Sequence, residues 1–219
     1  MSLMSRSLTL PHVRRRKSSR WVRLACAMVV MSMSSIALAY NFKKLEQAIE
    51  TLTPRTAKDW QVKANRGDPM AQNVIGMAYK YGIGVAQDHS ASLSWFRKAA
   101  RQGEADAQFN LARIYESRSD GIYRRTRVLP SDDAEAGAWY RRAAEQGHTP
   151  AQVKLAALFA EGADGVARDP VQAYMWLQAA SLAGDLGAAE LVVTYAAAPT
   201  ADQKAKADEQ ARKLSNRAL

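Results

Sequence analysis

From Tyr79 to Gly103 the chain reads YKYGIGVAQDHSASLSWFRKAARQG, and the end of this stretch returns twice further along. Trp139 to Gly147 reads WYRRAAEQG, and Trp176 to Gly184 reads WLQAASLAG. Gly67, Gly103, Gly147 and Gly184 are separated by 36, 44 and 37 residues, and Ala71, Ala107, Ala151 and Ala188 keep the same spacing. A fixed period of this length means stacked supersecondary units, each burying its apolar face against the next.

Each unit reads as two helices. The first carries apolar residues three to four apart: Ala71, Ile75, Ala78 and Tyr79; Ala107, Leu111, Ile114 and Tyr115; Ala151, Leu155, Leu158 and Phe159. Small residues at Gly76, Ala112 and Ala156 let a neighbouring helix approach closely. The second helix carries the Trp and the Ala-Ala pair. Asp68-Pro69, Thr149-Pro150 and Asp169-Pro170 each read as a capping side chain before a proline at the first helical position. Asp132 with Glu135, and Thr200 with Gln203, read as capping boxes. No stretch alternates with period two, so no strand is expected.

The pattern Ala-Gln-x-x-(Ile/Leu)-(Gly/Ala)-x-x-(Tyr/Phe), then Gly-x-Gly-Val, then Asp-x-x-x-Ala-x-x-Trp-(Phe/Tyr)-x-x-Ala-Ala-x-x-Gly resembles the Sel-one-like repeat family, a branch of the tetratricopeptide-type helical repeats. The resemblance covers roughly Trp60 to Ala197. It implies an all-α fold: a right-handed α-solenoid of helix-turn-helix repeats with capping helices. The units run 68–103, 104–147 and 148–184, with caps at 40–67 and 185–219. The second unit lacks the Gly-x-Gly-Val turn and carries an insertion at 117–131 instead.

Residues 1–39 hold seven Lys or Arg and no acid, and Leu24 to Ala39 is an uncharged, mostly apolar run ending Ala37-Leu38-Ala39. This is the layout of a secretory signal, with cleavage expected after Ala39. The alternative is an uncleaved anchor, for which sixteen residues is short against the roughly 20 a bilayer span needs. The full chain carries +10. Removing the seven basic residues from 31 leaves 24 Lys and Arg against 21 acids, or +3, so nucleic acid is not expected as a partner. Cys26, the only cysteine, lies within the apolar run, so the mature chain has no thiol chemistry.

No catalytic or cofactor constellation is present in the sequence. His89 and His148 lack a second metal-type ligand at helical spacing and read as surface or capping residues. There is no Gly-x-Ser-x-Gly elbow and no Gly-Lys-Ser/Thr phosphate loop. Cysteine-rich members of the family have been linked to β-lactam hydrolysis, which the cysteine content here argues against. No cofactor and no metal is expected.

The expected activity is non-catalytic protein–protein interaction, and the resemblance implies an adaptor or regulator in a bacterial periplasm that binds a partner peptide or helix. A membrane-anchored regulator facing the periplasm is the alternative, and only the N-terminal segment would then touch the bilayer. Two surfaces are candidates. The first-helix positions Asn73, Met77, Lys80, Phe109, Arg113 and Glu116 line the expected concave groove. Otherwise these positions fill a tight superhelical interior. The insertion presents Tyr123, Arg124, Arg125 and Arg127, residue types suited to docking an acidic peptide or anionic glycan. Otherwise it is a solvated loop, since lengthening a loop costs little free energy.

Overall fold

A computed structural model describes residues 47–116 and 132–217. The signal or anchor expected at 1–39 and the insertion residues Tyr123, Arg124, Arg125 and Arg127 lie outside the described residues. Among the described residues a helical turn at 47–50 precedes nine helices: α1 Pro54–Asn65, α2 Pro69–Tyr81, α3 His89–Arg101, α4 Ala105–Tyr115, α5 Asp133–Glu145, α6 Thr149–Glu161, α7 Pro170–Leu182, α8 Leu186–Tyr195 and α9 Ala201–Arg217. Among the described residues there is no strand, only an isolated bridge between Ala163 and Val166. From α1 to α8 each helix packs on the next in sequence, and α9 returns onto α7. This is the all-α helix-turn-helix array that the period predicts.

Nearly every helix starts on a side chain that accepts a backbone N–H, each such cap contributing about 1 kcal/mol. Asp68 accepts from Ala71 at 2.7 Å, Asp88 from Ala91 at 2.9 Å, and Asp185 from Ala188 at 2.9 Å. Asp169 accepts from both Val171 and Gln172 at 3.0 Å. Thr200 and Gln203 form the expected box. Two caps differ from expectation. The cap of α6 is His148, whose Nδ1 accepts from Ala151 at 3.2 Å; Thr149 is already helical and Pro150 is the second helical residue. Asp132 accepts from Glu135, but the Glu135 carboxylate takes the Trp139 indole N–H at 2.8 Å rather than reaching back.

The connection between the two helices of a unit is anchored the same way three times. The N–H groups of Asp88, Asp132 and Asp169 donate to the carbonyls of Tyr79, Tyr115 and Phe159 at 2.9, 2.8 and 2.8 Å. The bond is the same in the second unit, where residues 117–131 stand between the two helices in sequence.

The repeating apolar positions form the core. Ala99 and Ala100, Ala143 and Ala144, and Ala179 and Ala180 are buried, as are Trp139 and Trp176. Trp60 and Trp95 are half-buried. A cation lies over three of these rings from three positions on: Lys63 over Trp60 at 4.7 Å, Lys98 over Trp95 at 4.1 Å and Arg142 over Trp139 at 4.3 Å. Trp176 has Ala179 at that position and is covered by protein instead. A Cβ at Gly76 would meet the Phe96 ring at 2.7 Å, which is why the smallest residue stands there. At the far end, α9 seals α7 through buried Ala207 and Ala211 and a 2.8 Å bond from the Tyr174 hydroxyl to Asp208.

Candidate interaction surface

A helix with one buried stripe would leave Asn73, Lys80, Phe109 and Glu116 facing outward. The structure buries all four. In α2 every residue from Ala71 to Gly76 is buried, and in α4 every residue from Ala107 to Ala112. Each first helix is flanked on several sides, so the stripe widens into a band and the expected open groove contracts.

The buried polar groups tie repeat to repeat. Asn73 Oδ1 accepts from Asn110 Nδ2 at 3.1 Å, joining α2 to α4. Glu116 accepts from the Tyr140 hydroxyl at 2.9 Å and from Lys154 Nζ at 3.2 and 3.3 Å, joining α4, α5 and α6. Burial and the Glu116 charge hold the Tyr140 hydroxyl well above its ordinary pKa. Phe109 packs on the His148 ring at 4.7 Å and on Tyr140 at 5.7 Å. Lys80 is buried with its Nζ 5.1 Å from the centre of the Tyr81 ring. Of the six groove candidates, Met77 and Arg113 remain half-exposed, with the Arg113 guanidinium 5.9 Å from the centre of the Phe109 ring.

A second polar knot sits where α4 begins. Glu104 caps α4 through the Ala107 N–H. Burial, then the neighbouring Asp106 charge, pushes the Glu104 carboxyl up to about 8. Asp106 in turn meets His148 Nε2 at 3.1 Å. His148 therefore caps α6 with one nitrogen and bridges to the preceding repeat with the other. Among the described residues no group of three His, Cys, Asp or Glu is placed to hold a metal ion.

One recess was not anticipated. Ser90, Leu93, Ser94, Arg97, Lys98 and Arg101 of α3 line a cavity of about 440 Å³. The signal was present: these residues fall three to four apart along one helical face, and α3 contains no acid between His89 and Arg101.

The Sel1 repeat model matches residues 69–104, 105–148 and 149–185, more than half of the chain. The chain belongs to the Sel1 repeat family. Two solved structures share its fold. One is a protective antigen present in uropathogenic Escherichia coli strains and displaying an SLR fold. It is 31% identical with a TM-score of 0.58, over 75% of this chain and 34% of that one. The other is a Sel1 repeat protein from Oxalobacter formigenes, 32% identical with a TM-score of 0.59, over 69% of this chain and 58% of that one. The chain thus spans about a third of the first relative and under three fifths of the second. Sel1 repeats are protein–protein interaction modules, generally scaffolds without catalytic chemistry of their own.

Proposed function

We propose that this protein is an exported, non-catalytic adaptor or regulator of a bacterial cell envelope that holds a peptide or helix of a protein partner against its first-helix face. The observation that carries the reading is the interlocked ridge of α2, α4 and α6. Asn73–Asn110 and Glu116–Lys154 are bonded internally, so Met77 and Arg113 project from a framework that does not have to reorganise on binding. Met supplies an adaptable apolar contact and Arg a directional one. Export is supported by the basic, apolar and small-residue order of residues 1–39. In this reading Tyr123, Arg124, Arg125 and Arg127 of the insertion add specificity.

The test combines location with capture. The full-length gene product, tagged at its C-terminus, is recovered from periplasmic and membrane fractions, its N-terminus is determined, and cross-linked partners are identified. The reading expects Tyr40 as the first residue and a partner lost from a Met77→Ala/Arg113→Ala variant. Retention in the cytoplasm, or capture indifferent to that variant, sinks it.

A further inference from the structure

The recess on α3 lies on the face that corresponds to turn-bearing faces elsewhere in the array. In the first repeat the Gly-x-Gly-Val turn packs on the start of α1: Gly84 has φ +73, and a Cβ there would stand 2.9 Å from the Thr53 carbonyl oxygen. In the third repeat the same turn packs on the start of α5. Gly165 has φ +72 and would place a Cβ 2.7 Å from that of Ala134, while Val166 reaches the position of Gly137. The second repeat lacks the Gly-x-Gly-Val sequence, and residues 117–131 in its place lie outside the described residues. Counting from the capping aspartates, Ser90 and Leu93 of α3 stand where Ala134 and Gly137 stand in α5. Among the described residues they line the recess.

The side chains around it are cationic and two are held in place. Arg97 Nη2 donates to the Tyr115 hydroxyl at 3.0 Å, with its guanidinium 6.0 Å from the centre of that ring. This bond uses one of five guanidinium N–H donors. Lys98 lies on Trp95. Among the described residues neither of these, nor Arg101, pairs with a carboxylate. Ser90 and Ser94 add two exposed hydroxyls on the same face.

We infer that this recess docks a short acidic segment of the partner protein, its carboxylates meeting Arg97, Lys98 and Arg101. Ser90 to Arg101 extends about 16 Å at 1.5 Å per residue, the length of roughly five residues of extended peptide. Three cations match such a segment and fall short of the 6–10 phosphate contacts typical of a duplex-binding surface. The inference rests on the reading of the chain as a binding module and names the chemistry of its partner.

The experiment titrates a fluorescein-labelled hexaglutamate peptide with the purified protein, using hexaglutamine as control. Binding should favour hexaglutamate and weaken with salt. Lys98→Gln/Arg101→Gln, both exposed, should weaken it roughly tenfold with an unchanged melting temperature. Ser94→Asp, which adds a like charge without removing a contact, should do the same. Arg124→Gln/Arg125→Gln/Arg127→Gln should retain binding. Absence of hexaglutamate binding overturns the inference, as does equal binding by both α3 variants, or loss confined to the loop variant. Retention on phosphatidylglycerol vesicles without hexaglutamate binding reassigns the recess to a membrane surface and overturns it too. If the envelope partner is still captured in those cases, the adaptor reading stands and only the recess assignment falls.

Discussion

Gln102 Nε2 donates to Gln72 Oε1 at 2.7 Å, and Gln72 Nε2 donates onward to the Ala64 carbonyl at 3.2 Å. One pair of amides thus joins α1, α2 and α3. The next repeat copies it: Gln146 donates to Gln108 at 2.8 Å, and Gln108 to Ala100 at 3.1 Å. The third stops halfway. Gln152 donates to Ala144 at 3.1 Å, but Ala183 stands where Gln102 and Gln146 stand, and the buried Gln152 Oε1 has no partner among the described residues. Ala183→Gln should therefore stabilise the protein by about 0.5–1.5 kcal/mol, while Gln146→Ala should cost about 1–3 kcal/mol by orphaning Gln108 Oε1. Urea denaturation of both variants checks the pair. A neutral Ala183→Gln would mean that the new amide finds no route to Gln152.

Gly76→Ala places a methyl group 2.7 Å from the Phe96 ring. The ring lies in the core with no exposed surface, so it has little room to yield. A loss of about 1–3 kcal/mol is expected. Trimming the ring with Phe96→Leu in the same chain should cost less than in the parent. Thermal melts of the single and double variants form the cycle, and strictly additive losses would refute the contact.

Glu116→Ala distinguishes a structural carboxylate from a binding one. Removing it leaves the buried Tyr140 hydroxyl without its acceptor and Lys154 without its carboxylate partner. Stability should fall by about 1–3 kcal/mol. A purely surface contact would leave the denaturation midpoint in place.

Glu104 makes stability depend on pH in the direction opposite to most acids. Its carboxyl titrates near 4.5 in the unfolded chain and near 8 in the fold, because burial and Asp106 disfavour its charge. The folded state then binds the extra proton, so the stabilisation is full below 4.5 and is lost as pH rises through about 8. Asp106 and, through it, His148 face the same site, so the isosteric Glu104→Gln isolates the contribution. Its carbonyl oxygen still accepts from Ala107. The difference in unfolding free energy between parent and variant should shift toward the variant from pH 5 to pH 8; a constant difference would show that Glu104 does not titrate there.

The architecture was readable because Trp139, Trp176, the Ala-Ala pairs and the terminal glycines recur in phase, and a recurring apolar residue is one that a neighbour covers. Asn73 and Glu116 misled for a related reason. A helical wheel assumes one buried face, whereas α2 and α4 are wrapped on several, and polar side chains there find partners 37 and 24 residues away. Thr149 looked like a cap because it precedes Pro150, yet proline also fits the second helical position, where its missing N–H is equally unneeded. The α3 recess was legible only in part. Its cations stand in the sequence, but that they converge with Ser90, Leu93 and Ser94 on one recess is visible only in the fold.

The half-finished amide link at Gln152 gives the array a polarity. The junctions through Gln72 and Gln108 are each fastened on two sides, and the one through Gln152 on one. Beyond it, α8 buries little besides Ala188. Under tension or denaturant the molecule should open from its carboxy-terminal end, as a zipper does from the end with the missing tooth. A ligand seated on α3 would then be released late, after the last helices have already let go.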